Sequence, residues 1–376
     1  MRTSVLLLFL VPLAACGGPD TTPADASRDA AHAPGTDAGA HDAAALDAHT
    51  TPSTGPWANV TANLAGMASE CGSVSGFAAK PDEDLLVVGV ALQGLWASTD
   101  GGGSWHALGT GAGSDAITNR TTSFVFDPAH PSVFWEAGIY NGPGVYRTDD
   151  DGLTFHALGD AHHDDAVSVD FTDASRTVLL AGGHEQAQTL YRSNDGGAHW
   201  TNVGTNLPAG TNFSSAPLVL DAMTHLVGCS GWGSGTSGIY RTTDGGMHWA
   251  QVSDASASGQ PLVASDGTIY WSVMGGGVAR STDSGQHWDR VGDGGVHGTP
   301  IELPDGRIAA LGSSAIVVSS DSGAHWQPAT ESLPYGDSVG VAYSRQQRAF
   351  FVWHFDCGMA VLDDAIMRHD FDWETH

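Results

Sequence analysis

One eight-residue phrase occurs six times in this 376-residue chain, and its spacing constrains the fold more than any other feature. The phrase reads Ser/Thr-x-Asp-x-Gly-x-x-Trp/Phe, and we call it the box. The six boxes contain the aspartates Asp100, Asp150, Asp195, Asp244, Asp283 and Asp321. Successive aspartates are 50, 45, 49, 39 and 38 residues apart. A repeat of this length, rich in short β runs, predicts a propeller or another stacked array.

Each box has the chemistry of a tight turn that ends in a hydrophobic anchor. The Asp carboxylate and the Ser or Thr hydroxyl can accept hydrogen bonds from backbone N–H groups inside a turn. The glycine tolerates a positive φ, which a Cβ atom would penalise. The final Trp or Phe then leaves the turn with a large ring to bury.

On these six segments the chain resembles the Asp-box (BNR) propellers. That superfamily includes bacterial sialidases, sortilin-type propellers, xyloglucanase-type glycosidases and photosystem assembly propellers. The resemblance implies that the boxes are structural and lie on the face away from the binding site, so we expect the six box aspartates to belong to the scaffold. It does not identify the chemistry, because one fold hosts many functions.

The strand pattern predicts an all-β chain with a single propeller of seven four-stranded blades. Six units read as three strands followed by a fourth that starts at the box aromatic, with Asp, Gly and Pro in the turns. The segment 57–64 repeats much of the text of 200–207, so we expect it to be the fourth strand of a seventh blade. The segments 339–343, 349–353 and 359–362 would supply the other three strands. A six-bladed ring is the alternative.

The N-terminus has the pattern of a secretory signal. Arg2 precedes an apolar run that ends in Leu13-Ala14-Ala15-Cys16. The run is shorter than the ~20 residues that cross a bilayer, and a basic start with small residues at its end is typical of a signal peptide. The end of the run resembles a bacterial lipobox, which implies cleavage before Cys16 and lipidation of its thiol. An ordinary signal peptide with a chance cysteine is the alternative.

The next forty residues have a different composition. They are rich in Ala, Asp, Thr and Pro and offer almost nothing to bury, so we expect them to be disordered. We therefore divide the chain into a lipoprotein signal peptide (1–15), a tether (16–56) and the propeller (57–376). This organisation predicts an exported protein of the bacterial cell envelope that contacts the membrane only through its lipid anchor.

Charge and cysteine content narrow the choice of partners. The chain has 14 basic and 42 acidic residues, a net charge of −28, which argues against nucleic acid and anionic lipid surfaces. We expect a monomer. Export permits disulfide formation, and we predict a Cys71–Cys357 bridge, because both residues flank the closure between the last blade and the first. Cys229 would then be a buried thiol; three reduced cysteines are the alternative.

Candidate binding residues follow from their position in the predicted blades. The loops between second and third strands, and the connections between blades, lie on the face opposite the boxes, and pockets in rings are usually central. Polar and aromatic residues at these positions are Tyr140, Asn141, His162, His163, Asp164, Asp165, His184, Glu185, Trp232, His297, His354 and Asp356. No HExxH, P-loop, CxxC or serine-nucleophile motif occurs, so we predict no cofactor and no metal.

The run His162–Asp165 is the densest polar group of the propeller. Its side chains could cap a loop and bond to neighbouring blades, bind a sugar or peptide, or hold a metal or perform acid–base chemistry on a glycoside. We expect a surface-tethered propeller used for binding or assembly, with a glycan or protein ligand and no catalysis. A glycoside hydrolase of sialidase-like or xyloglucanase-like type is the alternative.

Replacement of Cys16 by alanine tests the predicted anchor. Because the thiol would carry the lipid, Cys16→Ala should release the propeller from the membrane fraction or block its processing. Fractionation of cells and the mass of the mature protein measure both effects. An unmodified Cys16 in a wild-type protein that stays with the membrane would rule out the anchor.

Overall fold

The computed structural model describes residues 57–69, 74–109, 116–230, 235–292, 295–336, 338–355 and 358–363. Within these ranges, 28 strands form seven four-stranded antiparallel sheets. The first strands of neighbouring sheets face one another around a common axis, so the sheets are the blades of a seven-bladed propeller. The seven-blade prediction is confirmed, and the six-bladed alternative is excluded.

Blade 7 combines the two ends of the described chain: β1 (Ala58–Asn59), β26 (Gly340–Ser344), β27 (Ala349–His354) and β28 (Gly358–Asp363). Blade 1 contains β2 (Gly76–Ala79), β3 (Leu86–Val90), β4 (Gly94–Ser98) and β5 (His106–Ala107). Blade 2 contains β6 (Arg120–Phe126), β7 (Phe134–Ile139), β8 (Val145–Thr148) and β9 (His156–Ala157). Blade 3 contains β10 (Asp164–Val169), β11 (Leu179–Gly183), β12 (Leu190–Ser193) and β13 (Thr201–Asn202).

The remaining blades follow the same order. Blade 4 contains β14 (Ala216–Val219), β15 (His225–Cys229), β16 (Gly238–Thr242) and β17 (Ala250–Ser253). Blade 5 contains β18 (Leu262–Val263), β19 (Ile269–Ser272), β20 (Val278–Ser281) and β21 (Asp289–Val291). Blade 6 contains β22 (His297–Glu302), β23 (Ile308–Leu311), β24 (Ile316–Ser319) and β25 (Gln327–Pro328). In the described part of the chain, no helix is long and apolar enough to cross a membrane.

The N-terminal strand closes blade 7, as predicted from its sequence. Ala58 pairs with Val361 and Asn59 with Ala360 in an antiparallel register. Beyond β1, the backbone N–H of Met359 donates to the Thr61 hydroxyl at 2.8 Å. The ring is therefore closed by hydrogen bonds between residues about 300 positions apart in the chain.

The cysteines are described only in part. Cys71 and Cys357 lie outside the described residues, so the disulfide between them stays a prediction. Cys229 ends β15 and is fully buried, as predicted. That burial raises the pKa of its thiol to about 12, so the side chain is uncharged at neutral pH.

Each box folds into a turn through the same three hydrogen bonds. In blade 3 the Ser193 hydroxyl accepts from the N–H of Gly197 at 2.8 Å. That hydroxyl donates to Asp195 Oδ1 at 2.8 Å, and the same oxygen accepts from the N–H of His199 at 2.9 Å. All six boxes repeat this pattern. Ser or Thr, Asp and Gly therefore have distinct roles in the turn.

The boxes also dock onto the preceding blade, which the sequence did not indicate. Gly246 of the box in blade 4 has a φ of +90°, and a Cβ atom there would lie 2.9 Å from the Cβ of Val203. Val203 follows the last strand of blade 3, and its carbonyl accepts a hydrogen bond from Trp249 Nε1 at 3.4 Å. Trp105 repeats this contact on the carbonyl of Val60 at 2.9 Å. The six box glycines, together with Trp105, Trp200 and Trp249, thus join successive blades.

The two segments of similar sequence, 57–64 and 200–207, have similar structures. Strand β1 is followed by a 3-10 turn, Ala62–Leu64, and β13 by the turn Gly204–Asn206. The amide of Asn63 donates to the carbonyl of Trp105 at 2.9 Å, and that of Asn206 donates to the carbonyl of Gly246 at 2.8 Å. Each asparagine therefore holds the box of the next blade.

A pair of glycine substitutions tests the docking of boxes. Gly246→Ala and Gly306→Ala place a Cβ at nearly equal φ, +90° and +84°, but only the first meets a neighbour within 4 Å. Both should lose about 1–2 kcal/mol to the left-handed conformation. Gly246→Ala should lose roughly 1–3 kcal/mol more through overpacking against Val203. Urea unfolding measures the difference, and equal destabilisation of the two variants would contradict the docking role.

Candidate functional site

A funnel on the propeller axis is the principal cavity on the face opposite the boxes. Its volume is about 510 Å³. Every blade contributes to its wall, through residues that include Ser75, Thr122, Asp165, Phe213, Gln260, Thr299 and Trp353. Most stand where a first strand begins or a second strand ends, which is the position the sequence analysis selected.

A β-bulge turns one acidic side chain into this funnel. Asp164 pairs with Gly183 and Ala166 with Gly182, so Asp165 is an extra residue in β10. Bulges of this kind redirect side chains at sheet edges. The Asp165 carboxylate lines the funnel and lies 2.8 Å from Nδ1 of His184. Two of the predicted site residues therefore form a hydrogen-bonded pair at the mouth.

Three aromatic side chains meet beside that pair. Tyr140 follows β7 in blade 2, His163 precedes β10, and His184 follows β11. The ring centroids of His163 and His184 are 4.8 Å apart, and the Tyr140 ring lies 5.3 and 5.6 Å from them. Tyr140 is 44% exposed, so one large ring is open to solvent at the rim. We call Tyr140, His163, Asp165, His184 and Glu185 the rim cluster.

The backbone of the rim cluster is strained. Tyr140, His163 and Glu185 have φ values of 71°, 63° and 51°. Residues other than glycine pay a steric penalty in this left-handed region, which is unusual for a residue as bulky as tyrosine. Such conformations persist where the surroundings enforce them, and they cluster at functional sites. Three of them converge here together with the bulge at Asp165.

The pKa values of the two imidazoles in the rim cluster are shifted in opposite directions. The hydrogen bond to Asp165 raises the pKa of His184, and Glu185, whose Oε1 lies 4.0 Å from His184 Nε2, adds to the effect. Burial lowers the pKa of His163, and the neighbouring His184 lowers it further. His184 therefore takes a proton more readily than His163 as the pH falls.

Asp164 has a different environment from its neighbour Asp165. It is fully buried, and neither carboxyl oxygen has a hydrogen-bond partner among the described residues. Burial raises its pKa to about 8. A Cβ on Gly144 would lie 2.0 Å from Asp164 Oδ2, so the carboxyl is packed against blade 2. Asp164 therefore does not reach the funnel.

A second buried carboxyl lies inside blade 2. Glu136 in β7 is fully buried, and burial raises its pKa to about 8. The amide of Asn119 donates to its Oε2 at 3.2 Å. Burial thus favours the protonated form of both acids, and both belong to the packing behind the rim cluster rather than to its surface.

The other predicted site residues are distributed around the same face. His162 and Asn141 are exposed next to the rim cluster. His297 begins β22 in blade 6, and His354 ends β27 in blade 7, so neither belongs to the two blades that carry the rim cluster. Trp232 and Asp356 lie outside the described residues.

The sequence analysis missed several wall residues. Phe355 follows β27 and lines the funnel, and the Arg120 guanidinium lies 4.1 Å from its ring centroid, a cation–π contact. Phe213, Gln260 and Trp353 line the same cavity. All lie in or beside the loops from which the candidate residues were selected. Amide and apolar aromatic side chains in those loops were the signal that could have identified most of them. Within the described ranges, no group of three or more His, Cys, Asp or Glu side chains is arranged to hold a metal ion.

Comparisons with known proteins give the fold. No protein-family model matches the chain, and no curated protein matches its sequence. A GH74 enzyme from Niastella koreensis is similar in structure, with a TM-score of 0.59 and 16% identity over 82% of this chain. The GH74 xyloglucanase from Xanthomonas campestris has a TM-score of 0.54 and 21% identity over 83% of it. The extracellular domain of BT3049 from B. thetaiotaomicron has a TM-score of 0.56 and 10% identity over 79%.

The chain spans only part of each of these proteins. It covers 54% of either GH74 enzyme and 40% of the BT3049 chain. At these identities the likeness is one of fold alone. All three are β-propeller structures, which agrees with the seven blades described above.

The two buried acids predict how stability depends on pH. A folded-state pKa near 8, against 3.8 and 4.5 ordinarily, means that the folded state binds more protons between those values. Stability should therefore fall as the pH rises from 5 to 8, by up to about 1.4 kcal/mol per pH unit for each acid. Asp164→Asn and Glu136→Gln should each flatten this slope in urea unfolding.

An exposed carboxyl supplies the control. The side chain of Asp289 is 79% exposed, and Asp289→Asn should leave the slope unchanged. A slope that stays at the wild-type value in both Asp164→Asn and Glu136→Gln would show that these acids are not held protonated.

Proposed function

We propose that this chain is an exported, lipid-anchored propeller that binds a neutral glycan at the rim cluster, without catalysis. The observation that carries the proposal is the strained backbone at Tyr140, His163 and Glu185, which holds one exposed aromatic ring beside two imidazoles and two carboxylates. Strain of this kind is retained where it fixes side chains for a ligand.

The chemistry of the rim cluster favours a sugar. A pyranose has apolar C–H faces and a ring of hydroxyls, so it needs an open aromatic face with polar groups at its edge. Tyr140 offers the face, and His163, His184 and Asp165 offer nitrogen and oxygen atoms beside it. The surrounding carboxylates and the net charge of −28 disfavour an anionic sugar. A neutral glycan therefore fits better than a sialoside.

Burial of Asp164 argues against hydrolysis. Glycosidases place two carboxyl groups on either side of the scissile bond. Of the adjacent pair Asp164 and Asp165, only Asp165 faces the funnel, and its oxygen is bonded to His184. A glycoside hydrolase remains the second candidate, because Glu185 and Asp165 lie on either side of the His184 ring and the fold resembles that of GH74 enzymes.

Export and anchoring are part of the same proposal. The Leu-Ala-Ala-Cys sequence before the tether supports a lipid anchor, and the likeness to the extracellular BT3049 domain supports an exposed location. The shared turn geometry of the six boxes supports membership of the Asp-box propellers. The membrane would be contacted through the anchor alone, and the propeller would act as a monomer.

A glycan array tests the proposed binding. We expect neutral oligosaccharides, with xyloglucan oligosaccharides among them, to bind to the wild-type protein. Tyr140→Ala should weaken the best of these by at least about tenfold, because it removes the aromatic face from the centre of the contact. Leu153→Ala, which changes a 54% exposed apolar side chain on a box, should not. Binding to peptides only, or equal loss in both variants, would contradict the proposal.

A screen of aryl glycosides tests the second candidate. Turnover that is lost in Asp165→Asn but kept in Leu153→Ala would show that the protein is a hydrolase. The binding proposal predicts no turnover by either the wild type or the variants.

A further inference from the structure

The backbone fixes the tautomer of one rim imidazole. The N–H of Tyr140 points at Nδ1 of His163, with an N–N distance of 2.9 Å. A backbone N–H can only donate, so Nδ1 of His163 must accept. The single proton of the neutral ring is then on Nε2. The left-handed φ of Tyr140, 71°, is the conformation in which this contact is made.

The neighbouring imidazole has the opposite arrangement. Nδ1 of His184 lies 2.8 Å from Oδ1 of Asp165, and an ionised carboxylate can only accept. Nδ1 of His184 therefore carries a proton, and in the neutral ring Nε2 keeps its lone pair. The two rings, with centroids 4.8 Å apart, thus differ at Nε2. Nε2 of His163 is a hydrogen-bond donor, and Nε2 of neutral His184 is an acceptor.

We propose that Nε2–H of His163 and Nε2 of His184 bind two adjacent hydroxyls of one sugar residue, stacked on Tyr140, and that protonation of His184 ends the requirement for a free hydroxyl at the second position. The inference rests on the proposed function, and it names the chemical group that the rim cluster selects. A vicinal diol supplies one hydroxyl oxygen that accepts from His163 and one hydroxyl hydrogen that is donated to His184. An O-methylated sugar keeps the first contact and loses the second.

The charged and titratable groups around His184 determine how readily its ring is protonated. Asp165 on β10 and Glu185 on its own loop favour the protonated ring, whereas Arg120 on β6 disfavours it. His163 and Tyr140 contact it through their rings. His184 gains its proton on Nε2, because Nδ1 already carries one. The acceptor then becomes a second donor, to which a hydroxyl and an ether oxygen can both bind, so selection for a free diol is present above the pKa of His184 and lost below it.

His163 stays neutral while His184 is protonated. Its Nδ1 is occupied by a donor that cannot be removed, so a second proton would break the hydrogen bond from Tyr140. Burial acts in the same direction, since it lowers the pKa of the ring. His163 is thus a donor throughout the range in which His184 changes state.

Nitrogen NMR tests the tautomers without any ligand. Two-bond 1H–15N spectra of the propeller, assigned with His163→Gln and His184→Gln, distinguish Nδ1–H from Nε2–H rings. In the neutral rings we expect His163 as the Nε2–H form and His184 as the Nδ1–H form, with His184 taking up its second proton at a higher pH than His163. An Nδ1–H form of His163 would overturn the inference even if the array finds glycan binding.

Affinity measurements test the recognition itself, with a xyloglucan heptasaccharide and its permethylated form as probes. We expect the preference for the heptasaccharide over the permethylated form to be at least tenfold larger at pH 8.5 than at pH 5.5, because an ether oxygen can accept from the protonated ring but cannot donate to the neutral one. The amide of His184→Gln cannot titrate, so the preference of this variant should be independent of pH. An equal preference of the wild type at both pH values, or the same pH dependence in His184→Gln, would overturn the inference. Absence of heptasaccharide binding at every pH would overturn both the proposed diol recognition and the proposed glycan function. The NMR experiment tests the tautomers independently of either.

Discussion

The docking of each box onto the preceding blade is the contact on which the ring depends. The glycine of a box has no side chain where Val203 or Val60 approaches, and the box tryptophan donates to the backbone of the same residue. The turn therefore fixes a blade and its neighbour together. Because blade 7 takes its last strand from the N-terminal end of the propeller, the first box docks on a residue that follows β1, and the ring closes by the contact that builds it.

Left-handed residues other than glycine occur in the boxes, at Asp151, Ser284 and Ser322, and also on the opposite face beside the funnel. The three left-handed residues of the rim cluster and the bulge at Asp165 lie on the side opposite the boxes. Each costs stability, and the packing of the blades has to compensate for it. The two buried acids, Asp164 and Glu136, add a further cost that grows as the pH rises from their ordinary pKa values toward about 8. The site is therefore supported by blades whose own stability depends on pH.

The spacing of the boxes and the repeated text of 57–64 and 200–207 were enough to predict seven blades and their closure. All five residues of the rim cluster were among the candidates selected from the loops. The separate roles of Asp164 and Asp165 could not be predicted, because a bulge adds one residue and changes which side chain faces the funnel. The contact between Tyr140 and the two histidines depends on backbone angles that side-chain identity does not reveal. Docking between blades likewise joins residues far apart in the chain, so it cannot be predicted from the sequence of a single box.

Hydrogen–deuterium exchange with and without a xyloglucan oligosaccharide tests most directly that the two faces have separate roles. The ligand should slow exchange at the amides of Tyr140, the 162–165 segment and His184–Glu185. Exchange in the six boxes should stay unchanged, because they hold the blades together whether or not a ligand is bound. Protection that appears in the boxes, with none at the rim cluster, would contradict the account.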